Sequence, residues 1–210
     1  MTLTFKDINT AWHSINNIID ASGINVIDEN GKLNREIQGL NFTITDTQRN
    51  NICRCSQWKR PALDEYTEKE IMSKTKPPGF RYSYGERLFG YPVENEDRIT
   101  PINQIQKQII ESLKNNKNSR RAIAITPLPE DDLYEKSIPC LQWIGCLIRD
   151  NKLHIHILFR SWDIERAMPA NLYGLSKLQK YIAKKLLTSG MCIEIGPMHI
   201  YAMSAHKYMV

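Results

Sequence analysis

The stretch that most constrains this chain runs from Ser137 to Asp163, SIPCLQWIGCLIRDNKLHIHILFRSWD. An apolar run, Leu141 to Ile148, meets the two-residue step Asp150-Asn151 and returns through a second run ending at Arg160, Ser161 and Asp163. Two apolar runs about a two-residue turn predict a β-hairpin. Cys140, directly after Pro139, stands at the start of one strand and Arg160 at the end of the other. Antiparallel pairing makes those two residues neighbours whatever the register. A guanidinium beside a thiol favours the thiolate, which is the nucleophilic form of cysteine.

A chain of 210 residues with 41% hydrophobic content supports one well-buried core, so residues 1–210 read as a single domain. The net charge of +5 suits an ordinary soluble surface, or attraction for phosphate-bearing ligands. No stretch approaches the roughly 20 apolar residues that span a bilayer. The N-terminal MTLTFKDINTAW lacks the apolar core of a secretory signal. Five cysteines, odd and sparse, point to reduced thiols in a cytoplasmic protein. A lone CxC, Cys53-Arg54-Cys55, reads as structural rather than metal-binding. Cys146 and Cys192 lack the context that singles out Cys140.

In chain order, Phe5, Ile8, Trp12, Ile15 and Ile19 recur at helical spacing and predict a helix over 5–20. Asp28 to Gly31 is a turn, and Leu40 to Thr45 alternates as a strand. Leu63 to Met72 is a short helix stopped by Pro77-Pro78-Gly79. Tyr82, Tyr84, Phe89 and Tyr91 read equally as the lining of a cleft or as aromatics packing beneath a loop. Thr100, with Pro101 behind it, is read as the cap of a helix burying Ile102, Ile105, Ile109 and Leu113. Arg120 and Arg121 lead into the alternating strand AIAIT and so point to opposite faces. Pro127 to Ser137, with its acidic triplet Glu130 to Asp132, reads as an exposed loop. His154 and His156 share a strand face but lack a third ligand, so no metal is expected. Met168 onward is helical through Leu186, with Asn171 near its start, and Met191 to Ala202 is a final strand.

Ser119-Arg120-Arg121, Pro139-Cys140, Arg160-Ser161-Trp162-Asp163, Asn171 and His199-Ile200-Tyr201 resemble, in order and spacing, the thymidylate synthase family. The resemblance covers roughly Phe80 to Tyr201. It implies an α+β fold: a mixed, largely antiparallel sheet covered by helices on one face, two copies meeting sheet to sheet. It further implies that Cys140 adds to C6 of dUMP, which makes C5 nucleophilic. C5 then takes a one-carbon unit from a methylene-tetrahydropterin, giving dTMP. Methylene-tetrahydrofolate or a methanopterin analogue is the implied co-substrate. The family picture gives Arg160 and Ser161 to the nucleotide phosphate, joined by Arg120 and Arg121 across a homodimer interface. Asn171 would match uracil O4 and N3–H, with His199 and Tyr201 on the sugar 3′-hydroxyl. Asp163 and Tyr84 would face the pterin, Asp163 from the nucleotide site, and Arg35 is the nearest candidate for an N-terminal phosphate ligand.

The chain departs from the family at Leu141-Gln142, Gly174, Pro197 and Glu86-Arg87-Leu88. It also stops at Val210, where typical members continue into a segment that closes over the folate and excludes water. Two other readings therefore stand beside dTMP formation. One is a hydroxymethylase of dUMP, dCMP or CMP, and the other a non-catalytic nucleotide- or RNA-binding homologue. On the leading reading no membrane or nucleic-acid partner is expected.

Overall fold

The computed structural model describes residues 3–95, 98–134 and 138–209; Ser137 and Val210 lie outside the described residues. The chain opens with β1 (Leu3–Phe5), α1 (Ile8–Ser22), β2 (Ile24–Ile27) and β3 (Leu33–Ile44). A polar stretch then leads to α2 (Arg60–Tyr66), which runs on as the π-helical turn Thr67–Ile71, and to α3 (Tyr84–Phe89). The hairpin β4 (Tyr91–Asn95) and β5 (Arg98–Ile102) follows, then a π-helical Ile105–Ile110 entering α4 (Glu111–Asn115). The remainder is β6 (Ile123–Ile125), α5 (Pro129–Tyr134), β7 (Leu141–Arg149), β8 (Lys152–Asp163), α6 (Met168–Leu187) and β9 (Glu194–Tyr208).

A seven-stranded mixed sheet runs β1-β3-β9-β8-β7-β6, with β2 also on β3. The pairs β1/β3 and β8/β9 are parallel and the others antiparallel. β7 and β8 form the hairpin that the sequence predicts, and Asp150 and Asn151 turn it with φ of 50° and 55°. Such angles match the twist of the strands, and Asp and Asn tolerate them. α1 and α6 bury Ile8, Ile15, Ile19, Leu175, Leu178 and Ile182 against one face. On the other face Ile123, Ile125, Tyr201 and Met203 stand 40–57% exposed.

A crease crosses three adjacent strands at one level. Phe159 and Trp162 are both buried in the core although they lie three apart on β8, and their rings stack 4.3 Å apart. Strict alternation would send them to opposite faces. Ala202 and Ala205 on β9 do the same, and Ile37 and Leu40 on β3 both pack on the core. These residues are register partners: Leu40, Ala202 and Phe159 in one row, Ile37, Ala205 and Trp162 in the next. On β3 the crease passes through Gly39, with φ +66°. An added Cβ there would meet nothing nearer than the Tyr201 hydroxyl at 3.8 Å. Glycine is thus kept for its backbone conformation rather than for space. Between the core residues, Arg160-Ser161 and Met203-Ser204 come out consecutively on the side away from the helices.

Several sequence expectations are corrected. Phe5 belongs to β1, and the first helix begins after Asp7, whose carboxylate accepts from Thr10 N–H at 2.8 Å. Thr100 and Pro101 sit in β5 opposite Val93 and Pro92. The cap bond of the following helix comes from Asn103, whose Oδ1 accepts from Gln106 N–H at 2.9 Å. The expected exposed loop at 127–137 contains α5, and Asp132 within it is buried against Arg87. β3 and β9 extend well beyond the short strands read at Leu40 to Thr45 and Met191 to Ala202, because their polar halves cross the crease.

Candidate active site

Cys140 lies just before β7, and its carbonyl accepts from Arg160 N–H at 2.8 Å, so the two residues pair across the hairpin. The Arg160 guanidinium is anchored: Nε and Nη2 donate to the Ile138 carbonyl at 3.2 and 2.7 Å. The thiol is half-buried and packs on the core. Burial pushes its pKa up, and Arg160 beside it only partly opposes that rise. The expectation of a ready thiolate is therefore corrected: desolvation outweighs the guanidinium.

Tyr66, Tyr82 and Tyr84 lie close enough to Cys140 to feel its charge. Burial first, and the charge at Cys140 second, raise Tyr82 to about 12 and push Tyr84 well above its ordinary value. Tyr66 is raised chiefly by burial, then by Glu70. Tyr66, Glu70, Phe80, Arg81, Tyr82 and Tyr84 line an open cavity of about 430 Å3. Burial raises the Glu70 carboxyl. This acid was missed in the sequence, where it is one of three glutamates in EYTEKE; the helical turn sets it four residues after Tyr66, on the same face.

Asn171, at the start of α6, is 4% exposed and bonded at both ends of its amide. Its Oδ1 accepts from Trp162 Nε1 at 2.8 Å, and its Nδ2 donates to the Tyr66 hydroxyl at 2.6 Å. An indole N–H only donates, which fixes the amide orientation. Tyr66 thereby links Asn171 to that open cavity, whose lining includes neither Cys140 nor Arg160.

Ser161 opens on the crease, where a cavity of about 270 Å3 is also lined by Asn34, Glu36, Ser204, His206 and Tyr208. The Asp28-Glu29 turn completes its wall, making three carboxylates in all. Arg35 does not serve this cavity; its Nε donates to the Ile19 carbonyl at the end of α1 at 3.0 Å. Two cations that the sequence did not single out sit against Tyr208 instead, Lys32 at 5.5 Å and Arg166 at 5.6 Å from the ring centre. Asp163 Oδ1 accepts from Arg166 N–H at 2.8 Å and so holds the turn into α6.

Arg120 and Arg121 are exposed ahead of β6, and Arg120 borders an apolar hollow on the open face with Ile123, Trp143 and His156. His199 is occupied within the sheet: its Nδ1 lies 3.0 Å from Thr43 Oγ1 and its Nε2 lies 3.1 Å from His154 Nδ1. Neither ring nitrogen is left for a sugar hydroxyl in this arrangement. Tyr201 extends on the open face toward Gly39. Among the described residues no group of His, Cys, Asp or Glu is arranged to hold a metal ion.

A creased mixed sheet carrying this thiol, arginine and amide belongs to a class of α+β one-carbon transferases. The chain is a member of the thymidylate synthase family, whose profile, described as Thymidylate synthase, matches residues 37–209. That match reaches further toward the N-terminus than the motifs between Phe80 and Tyr201. The chain is 37% identical over 203 residues to a protein of Methanosarcina barkeri named "Putative thymidylate synthase", covering 97% of this chain and 87% of that relative. It is also 37% identical over 180 residues to a Methanocaldococcus jannaschii protein of the same name, covering 83% and 76%.

Proposed function

We propose that the protein methylates dUMP to dTMP through a covalent adduct between Cys140 and C6 of the uracil. The observation that carries this reading is the pairing of Cys140 with an anchored Arg160, next to an aromatic cavity and a buried asparagine of fixed orientation. In this reading Ser161 receives the dianionic phosphate, and Arg160, next to it in sequence, would bridge phosphate and thiol. Adding the thiolate to C6 makes C5 nucleophilic. Once C5 bears the new carbon, its proton must leave. Glu70, whose carboxyl is raised by burial in the aromatic cavity that Tyr66 also lines, would take up and return protons in this reading.

A methylene-tetrahydropterin supplies the carbon and the hydride. The cavity suits a flat pterin, because Tyr66, Phe80, Tyr82 and Tyr84 offer ring faces and edges for stacking. Asp163 does not line that cavity; it sits opposite His206, with its Oδ1 held by Arg166 N–H, so a role at the pterin falls to its other oxygen. His199 and Tyr201 enter the sugar site only if binding frees the His199 ring from Thr43 or His154. Five free cysteines fit a reducing cytoplasm, and no helix among the described residues is long and apolar enough to cross a membrane.

The open face favours a sheet-to-sheet homodimer. Three carboxylates around Ser161 would repel a phosphate, and the exposed Arg120 and Arg121 of a second copy supply the missing positive charge.

The test is incubation with 5-fluoro-dUMP and methylene-tetrahydrofolate, followed by intact-mass measurement. The native protein is expected to gain the mass of a covalent ternary adduct, and Cys140→Ser to gain none while still binding dUMP. Adduct formation should accelerate as pH rises past the ordinary thiol range, because burial holds the thiol protonated. An adduct in Cys140→Ser would remove that residue from the reaction. With dUMP itself, a product heavier by one oxygen than dTMP would show the hydroxymethylase reaction instead.

A further inference from the structure

A bulge interrupts the β7–β8 hairpin just after the thiol. Leu141 stands opposite Phe159 and Trp143 opposite Leu158, so Gln142 is an extra residue with no partner on β8. Such a bulge bends its strand and re-aims the side chains beside it. Every backbone carbonyl from Ile138 to Gln142 is nevertheless taken. Ile138 accepts from the Arg160 guanidinium at 2.7 Å, and Cys140 from Arg160 N–H at 2.8 Å. Gln142 accepts from Thr126 N–H at 3.0 Å. The other two bonds come from side chains. Gln142 Nε2 reaches back past Cys140 in sequence to the Pro139 carbonyl. Thr126, fully buried just after β6, donates its hydroxyl to the Leu141 carbonyl. These two bonds bracket the thiol residue, one ending before it and the other after it. Pro139 has a fixed φ, which further limits the backbone entering Cys140. Leu141-Gln142 is also a place where the sequence departs from its family, so the glutamine arm does not follow from family membership.

We propose that Gln142 and Thr126 are positioning residues for the nucleophile: they hold the backbone on either side of Cys140 so that its sulfur faces C6 of the seated pyrimidine. The assignment rests on the Cys140 reading above. Neither side chain has to touch the substrate, because each acts through the carbonyl it holds. Ordering a chain segment costs conformational entropy, and a reacting group repays it when its rotamer is fixed by supporting hydrogen bonds. An attacking atom misplaced by about 1 Å costs on the order of 100-fold in rate. Nucleotide affinity, set by other groups, is not expected to follow. Burial and Arg160 govern the ionisation of the thiol, so removing either neutral side chain should leave that unchanged.

The test compares the whole protein with Gln142→Met, Thr126→Val and Thr126→Ser. Methionine is close to glutamine in length but donates nothing, valine has the shape of threonine without its hydroxyl, and serine keeps the hydroxyl. Three quantities are read in each protein: the rate of the 5-fluoro-dUMP ternary adduct at saturating ligands, the dUMP dissociation constant, and the pH profile of iodoacetamide alkylation at Cys140. Peptide mass locates that alkylation, because Cys55 and Cys192 are exposed. Gln142→Met and Thr126→Val should each slow the adduct by about 10- to 100-fold, with dUMP affinity and the alkylation midpoint unchanged. Thr126→Ser should recover most of the lost rate. Native adduct rates in both donorless variants overturn the proposal. So does a loss matched by weaker dUMP binding, by a shifted alkylation midpoint, or by an equal loss in Thr126→Ser. Should Thr126→Val not fold, Gln142→Met, at a half-buried position, decides alone. Failure of the nucleophile reading looks different: the native protein itself then forms no adduct, and the positioning role falls with it.

Discussion

At Asn171 the amide is held from two sides, by the Trp162 indole and the Tyr66 hydroxyl, so its donor and acceptor cannot exchange places. On the proposed reading its remaining N–H and oxygen lone pair would meet a pyrimidine edge, to which uracil presents the complement, O4 and N3–H. Asn171→Asp tests this. A carboxylate can accept from both Trp162 and Tyr66, so the packing survives, but it has no hydrogen to give O4. The expected outcome is a 10- to 100-fold weaker affinity for dUMP, about 1–3 kcal/mol, with dCMP gaining relative to it. Titration calorimetry reads both constants, and an unchanged dUMP affinity would detach Asn171 from the base. Sequence alone puts the asparagine near a helix start, but both of its partners lie elsewhere in the fold. The Cys140–Arg160 pairing was legible, because a two-residue turn fixes which strand ends meet. The weight of burial on the thiol was not, since it depends on Tyr82 and Tyr84 arriving from a distant segment. Asp132 was misread for the same reason: an acidic triplet looks solvated until Arg87 is brought beneath it.

Among the elements, the alternating strands and the two long helices were readable from periodicity, whereas the crease was not. A two-residue excursion within β8 or β9 looks like a lapse in alternation, and only the pairing of three strands shows that the lapses coincide. The sheet also stacks His199 on His156, ring centres 4.5 Å apart, with His154 bonded to His199 at 3.1 Å. Sequence showed two of these imidazoles on one strand face; the third is brought alongside by the parallel register of β8 and β9. Burial first, then the neighbouring His156 and His154, lower His199 to about 4. Its ordinary value is 6.5. Between those values the unfolded chain binds a proton that the folded chain refuses, so folding stability is complete above about 6.5 and declines as pH falls toward 4. His154, His156 and His206 are also lowered, chiefly by burial, and act in the same direction. Calorimetric melting at pH 7.5 and pH 5 should show a clear loss of Tm in the native protein. A smaller loss is expected in His199→Gln, which keeps a polar partner for Thr43. Equal losses would mean that the stack does not set the acid limit.

For the whole molecule, the distribution of charge decides whether one copy can work alone. The crease cavity brings Asp28, Glu29 and Glu36 around Ser161, while Arg120 and Arg121 stand exposed ahead of an edge strand, next to an apolar open face. In the proposed two-fold assembly each copy would offer its arginines to the other's cavity, with nucleophile and phosphate clamp on different chains. Arg120→Glu should then disable its partner's site, and Cys140→Ser its own. Each homodimer is expected to be inactive. When the two variants are mixed and allowed to exchange, half of the dimers become hybrids, each with one site that has both a thiol and a native arginine pair. Activity should recover to about a quarter of the native value. If native mass spectrometry shows hybrids but turnover stays absent, the clamp and the thiol act within one chain, and the acidic cavity must take its counter-charge from Lys32 and Arg166 instead.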